Sequence, residues 1–121
     1  MPTLVYQELN AMECLDVIRS TAVTRAAFTD GVRPFLAPMC FQLEAAGTQP
    51  VIHLWTMAEG RKAACLGHCS AVCLEFERPG CAWVDVVLLE GTADAGPDGD
   101  GLLLRVPAEA LSGRRFFLPE E

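Results

Sequence analysis

Apolar positions along this chain recur at two different periods, and each period predicts an element. Over residues 7–20, Leu9, Met12, Leu15 and Ile18 follow one another at intervals of three. Cys14 and Val17 fill the same side, and Glu8, Glu13, Asp16 and Arg19 face away. That pattern predicts an amphipathic helix. Residues 22–29 are rich in Val, Thr and Phe and predict a strand. Asp30-Gly31 then marks a hairpin turn, and residues 32–43 predict the returning strand. Pro34 and Pro38 each remove a ladder donor there, so this strand must lie at an edge or be irregular. After a loop over 44–50, residues 51–56 predict a third strand and residues 58–68 a short helix. Gly60 is a poor helix former and must be present for another reason.

The second half alternates at period two. Residues 71–77 predict a fourth strand, and Arg78-Pro79-Gly80 a turn. Residues 81–93 predict a long fifth strand, whose apolar run Val86–Leu89 suggests burial on both faces. The turn formers of 94–101 predict a loop. Residues 102–111 predict a sixth strand, since Pro107 would disrupt a helix there, and residues 112–115 then exit the body. The order is helix, three strands, helix, three strands, with hairpins dominant and no long crossover. The predicted fold is mainly β (α+β): one domain, residues 1–121, as a six-stranded antiparallel barrel or sheet with an N-terminal helix and one short helix after the third strand.

Composition narrows the function. With 51% apolar residues in 121, the chain is not globally disordered, and no apolar run reaches the length of a membrane span. Sixteen acids against nine bases give a net charge of −7, which disfavours nucleic acid as a partner. The first residues lack the basic-then-apolar pattern of a secretory signal, so a cytoplasmic location is expected. The six cysteines are then expected to be reduced and to act as small buried hydrophobes.

The informative stretch is residues 51–66, VIHLWTMAEGRKAACL. A strand ends at Trp55-Thr56 and a helix begins just after, with Arg61 and Lys62 in its first turns; Lys62 is the only lysine in the chain. Free N–H groups at a helix start, a guanidinium, an ammonium and a hydroxyl suit a phosphate, and Gly60 would allow close approach. A solvated basic pair is the alternative reading. Cys65, His68, Cys69 and Cys73 lie close in sequence but hold no CxxC pair, so no metal is expected. Asp94, Asp98 and Asp100 mimic a calcium loop only loosely, and two histidines do not make a Ser-His-Asp set.

WTMAEGRKAACL resembles the phosphate-binding segment of pyridoxamine 5′-phosphate oxidase-like proteins, the FMN-binding split barrels. The Asp30-Gly31 hairpin with Arg33, Pro34 and Pro38, the strand end Leu89-Glu90-Gly91 and the terminal Leu111-Ser112-Gly113-Arg114 are similar to the branch that includes nitroimidazole-resistance reductases. The resemblance covers roughly residues 8–115. It implies a split β-barrel and an FMN held at the interface of a homodimer. It implies that Arg61 and Lys62 bind the phosphate, that Trp55 and Thr56 line the flavin or its phosphate arm, and that backbone groups of Pro38, Met39 and Cys40 approach the isoalloxazine edge. That branch usually has a histidine at the place of Trp55. His53 lies two residues earlier, on the same strand face, and so could still reach the pocket or be a structural histidine. The implied activity is hydride or electron transfer through FMN to a small-molecule acceptor, with NAD(P)H as donor. The alternative is a flavin- or haem-binding storage or sensor protein on the same barrel. The phosphate-vitamin oxidases carry a longer C-terminal substrate segment than RRFFLPEE, so their own reaction is not implied. Phe116, Phe117 and Leu118 are expected to pack on a partner subunit.

Overall fold

The computed structural model describes residues 5–45 and 49–119, so the predicted loop over 44–50 lies partly outside the described residues. Its elements are β1 (Val5–Leu9), α1 (Ala11–Arg19), β2 (Val23–Thr29), β3 (Pro34–Glu44), β4 (Val51–Met57), α2 (Arg61–His68), β5 (Ala71–Pro79), β6 (Trp83–Thr92), β7 (Asp94–Asp98), β8 (Gly101–Pro107) and β9 (Ala110–Phe117). All strands pair antiparallel in the order β1-β9-β6-β5-β2-β3-β4-β8-β7. The sheet curls into a half-barrel, with β1 and β7 as its two edges. The mainly β, antiparallel reading with two helices therefore holds, but the described residues form nine strands rather than six.

Each of the three additional strands went unseen for its own physical reason. β1 was absorbed into the predicted first helix, yet Val5 to Leu9 pair with Phe117 to Gly113 of β9. The helix starts only after Asn10, whose side chain accepts from Glu13 N at 2.8 Å while Glu13 Oε1 accepts from Asn10 N at 3.0 Å. That reciprocal cap sets the boundary. β7, of sequence DAGPD, has no apolar alternation and exists through its pairing with β8; its Pro97 is tolerated at a sheet edge. β9 was read as a basic exit, but it lies between β6 and β1 and bonds to both. Its inward positions are Leu111, half-buried against the core, Gly113, which is buried, and Arg115, so the apolar alternation of a strand is broken after one residue.

The α1 face also differs from the spacing of three. Cys14, Val17 and Ile18 are buried, whereas Met12 is exposed. Steps of three fall short of a 3.6-residue turn, so the earlier members rotate off the core. Phe28, Ile52, Leu54, Leu74, Phe76, Val87, Leu89, Leu104 and Val106 fill the inside of the curled sheet, with Val17 and Ile18 of α1 packed among them. The half-barrel closes where β6 meets the end of β8. A Cβ on Gly91 would lie far inside contact distance of the Pro107 carbonyl oxygen, so only glycine fits there. Glu109 N donates to Glu90 O at 2.9 Å beside it.

Asp85 breaks the apolar run of β6 for a reason. It is fully buried and accepts from Arg115 Nε at 2.7 Å, Arg115 Nη2 at 3.0 Å and Arg78 Nη2 at 3.0 Å. Arg78 Nη1 also donates to Ser20 Oγ at the end of α1 at 3.0 Å, and the Arg115 guanidinium lies 4.8 Å from the Trp83 ring centre. This clasp ties α1, β5, β6 and β9 together. Its hydrogen bonds from Arg115, ahead of those from Arg78, hold the Asp85 carboxyl below its ordinary range despite burial. The expected burial of β6 on both faces is not met within one chain: Val86 is half-buried and Leu88 is 39% exposed.

Candidate functional site

The site begins where β3 changes partner. Residues Pro34 to Cys40 pair with β2, while β4 pairs only with Phe41 to Glu44. From Pro34 to Cys40 the strand therefore has a ladder on one side only, and the sheet is split there between β3 and β4. The two prolines sit in this half of the strand, which is why it tolerates them inside the sheet order. Unpaired backbone groups along such an edge are free to meet a ligand. Pro38 and Cys40 face outward and are exposed, while the Met39 side chain is buried in the core, leaving only its backbone for such contact.

The helix beyond the split begins later than the predicted 58–68. Gly60 has φ +109°, a conformation L side chains rarely adopt, and stands at the N-cap; the helix runs from Arg61. That conformation is the reason for a glycine here. Gly60 offers no side chain to the free N–H groups of the first turn, and the first turn contains no acid. The first helical bond runs from Ala64 N to Gly60 O at 3.0 Å. Arg61 is exposed, with its guanidinium 4.4 Å from the centre of the Phe35 ring on β3, and Lys62 is half-buried. Among the described residues neither cation has a carboxylate partner, in contrast to Arg25, Arg78 and Arg115. α2 packs on β2 and β4, anchored by its buried Cys65. The result is a positive helix end with unused donors, set beside the split.

Strand alternation divides the other predicted residues. Thr56 continues the inward column of Ile52 and Leu54, while His53 and Trp55 face outward. Trp55 and Thr56 therefore present their side chains to opposite faces of β4. Trp55 Nε1 donates to Asp98 Oδ2 at 2.8 Å, and its ring stacks on that of His53 with centres 6.5 Å apart. His53 Nε2 lies 2.8 Å from Glu44 Oε2, and this bond lowers the Glu44 carboxyl below its usual range. The sequence pattern gave no sign of Phe35, Glu44 or Asp98 at this place. Asp98 stood in a segment read as a loop, and Glu44 and Phe35 became neighbours only through the register of β3.

Of three surface clefts, one touches the candidate site, through Pro38 alone, and two lie away from it. One of ≈ 570 Å³ is lined by Arg25, Pro38, Glu75 and Glu77 among others, where Arg25 bonds to both glutamates at 2.8 and 2.7 Å. A second of ≈ 470 Å³ involves Glu8, Leu88 and Arg114, and a third of ≈ 430 Å³ involves Cys73, Glu90 and Glu109. None of the three is lined by Arg61, Lys62, Trp55 or Thr56. The six cysteines are free thiols, but only Cys14 and Cys65 are buried, fewer than the composition suggested, and Cys40 and Cys81 are exposed. Burial raises the thiol pKa of Cys14 and of Cys73. Among the described residues no group of three or more His, Cys, Asp or Glu could hold a metal ion. No helix among them is long and apolar enough to cross a membrane.

No protein-family model matches the chain, and no curated protein sequence matches it. Solved structures do. A FAD-binding protein of Mesorhizobium loti superposes with a TM-score of 0.82 at 18% identity, covering 94% of this chain and 98% of that one. A 5-nitroimidazole antibiotic resistance protein of Bacteroides thetaiotaomicron gives 0.85 at 14% identity, over 95% and 90% of the two chains. A pyridoxamine 5′-phosphate oxidase of Corynebacterium glutamicum gives 0.77 at 20% identity, over 99% of each. The chain thus shares the fold of these three structures over nearly all of its length.

Proposed function

We propose that this protein is a flavoprotein that binds FMN and passes hydride or electrons through it to a small-molecule acceptor. The observation that carries the reading is the start of α2: uncapped, free of acids, and bearing Arg61 and Lys62 without carboxylate partners beside a split in the sheet. A terminal phosphate is dianionic and takes several donors, which fits the backbone N–H groups and the two cations together. Thr56 adds a hydroxyl on the same end of β4, and the one-sided edge of β3 through Pro38, Met39 and Cys40 offers backbone groups to a flat ring. The neighbours named for FAD binding and for pyridoxamine phosphate oxidation lend the flavin general support. The bound flavin supplies the redox chemistry, and the protein supplies anchoring and orientation. NAD(P)H is the proposed donor.

The same reading includes a homodimer. The outer face of β6, with Val84, Val86 and Leu88, joins Phe116 of β9 and Tyr6 of β1 in a patch that one chain leaves open. Glu8 and Arg114 stand in register on that patch, so it carries both signs, which lets it complement a second copy of itself. Light scattering should give twice the chain mass.

Purified protein should be yellow and release FMN on denaturation. Arg61→Ala with Lys62→Ala should strip most of it; retention of FMN at unchanged affinity would falsify the phosphate assignment. Repeated reduction of bound flavin by NAD(P)H with an added acceptor supports the enzyme. Bound flavin with no turnover for any donor supports the storage or sensor alternative.

A further inference from the structure

On the outer face of β4 the indole of Trp55 is fixed from two directions. Asp98 Oδ2 accepts from its Nε1 at 2.8 Å, and the His53 ring stacks on it at 6.5 Å with 29° between the planes. His53 is held in turn by Glu44 Oε2 at 2.8 Å. The indole nevertheless remains 44% exposed. Immobilising a large side chain costs rotamer entropy, and leaving it in water forgoes burial. Folding therefore gains little from an indole that is both held still and open.

The charged groups that bond to or stand in register with the outer face of β4 are mostly carboxylates. Glu44 bonds to His53 and Asp98 to the indole itself, and Arg105, in register with His53, has Asp94 in register on its other side. Indole offers the best aromatic face for a cation, and an acidic rim adds to that attraction. A ring bearing a carboxylate or a phosphate would meet repulsion instead.

We infer that Trp55 is the floor of a subsite for a planar aromatic cation of the N-alkylpyridinium type. The inference rests on the flavin reading for its purpose, which is to bring a second ring beside the split where the flavin is proposed to lie. The binding of that ring is a property of the β4 face and is tested without flavin.

The test is titration of N-methylpyridinium chloride into flavin-free and flavin-loaded protein, followed by tryptophan fluorescence, with benzoate as an anion of similar size. Trp83 is the other indole in the chain, and subtracting the signal of Trp55→Leu removes its contribution. The cation should quench Trp55 saturably and bind about tenfold more tightly than benzoate. Asp98→Asn keeps an acceptor for the indole N–H but removes the charge, and should weaken the cation roughly threefold. Linear quenching without saturation, equal binding of benzoate, or Trp55 emission that shifts on dilution of the ligand-free protein (a second copy covering the ring) each overturn the inference. Flavin content is read separately by visible absorbance. Saturable quenching in protein that takes up no FMN sinks the flavin reading alone, and bound FMN without saturable quenching sinks the subsite alone.

Discussion

Two cationic clusters in this molecule differ in one respect. Around Asp85, Arg78 and Arg115 converge on a buried carboxylate, and their remaining donors reach Ser20 or lie over Trp83. At the start of α2, Arg61 and Lys62 have no carboxylate partner and the helix has no cap. In the first cluster the chain satisfies its own charges, so the cluster serves the fold. In the second it leaves positive charge and hydrogen-bond donors unused at one place, which costs folding little on an exposed helix end and favours an anion from outside.

The largest effect should come from breaking the closed cluster. Asp85→Ala leaves two guanidinium groups without their buried partner and should cost about 3–5 kcal/mol in urea unfolding. The double change Arg61→Ala with Lys62→Ala should alter the stability of the flavin-free protein by less than about 0.5 kcal/mol. Comparable losses from both would erase the distinction between the clusters.

The next effect reads the open cluster in its own terms. The same double change removes two charge-assisted contacts to the phosphate and should weaken FMN by about 100-fold or more, from ~1.5–3 kcal/mol for each contact. Asp85→Ala, in the fraction that remains folded, should retain FMN. Flavin fluorescence on titration into each variant measures both.

Acid should distinguish the clusters as well. The folded Asp85 carboxyl titrates below its unfolded value of about 3.9. A depressed carboxyl contributes stability that is present above the unfolded value and is lost as pH falls through the folded one. The wild type should therefore lose stability below about pH 4, and Asp85→Asn, already weaker, should show a flatter pH profile over that window. A variant profile parallel to that of the wild type would place the acid sensitivity elsewhere, with Asp30 the next candidate, since backbone N–H bonds from Arg33 and Val32 lower its carboxyl.

The same contrast governs how much could be read in advance. Elements whose inward positions are apolar were visible in the sequence: β2 with Phe28, β4 with Ile52 and Leu54, β5 with Leu74 and Phe76. The hairpin at Asp30-Gly31 was visible through its turn chemistry, and its Asp30 carboxylate accepts from Val32 N and Arg33 N at 2.8 and 2.7 Å. β9 was hidden because Gly113 and Arg115 follow Leu111 on its inward side, and Arg115 is neutral to the core only through Asp85, which lies thirty residues away. At the candidate site, the placement of Arg61 and Lys62 at a helix start was legible because a helix start depends on local sequence. The pairing of Trp55 with Asp98 was not, because it depends on a strand that forms only at a sheet edge. Thr56 was grouped with Trp55 by adjacency, and the pleat sends the two apart.

The smallest predicted effect tests whether the open helix end is a built feature. Gly60 has φ +109° and nothing within 4 Å of where a Cβ would stand. Gly60→Ala therefore meets no steric neighbour and suffers only from its backbone conformation (φ +109°, ψ −173°), about 1–3 kcal/mol on unfolding. If the backbone keeps its course, the N–H groups of α2 still point outward and FMN affinity should change less than threefold or so, within the ~0.6 kcal/mol of one RT. If alanine instead pulls Gly60's position into the helix, the first turn is rebuilt one residue earlier and the donors reorient. Affinity would then fall much further than stability. The ratio of the two losses, from thermal unfolding of flavin-free protein and FMN titration of the same sample, measures how far the phosphate site depends on that single left-handed residue.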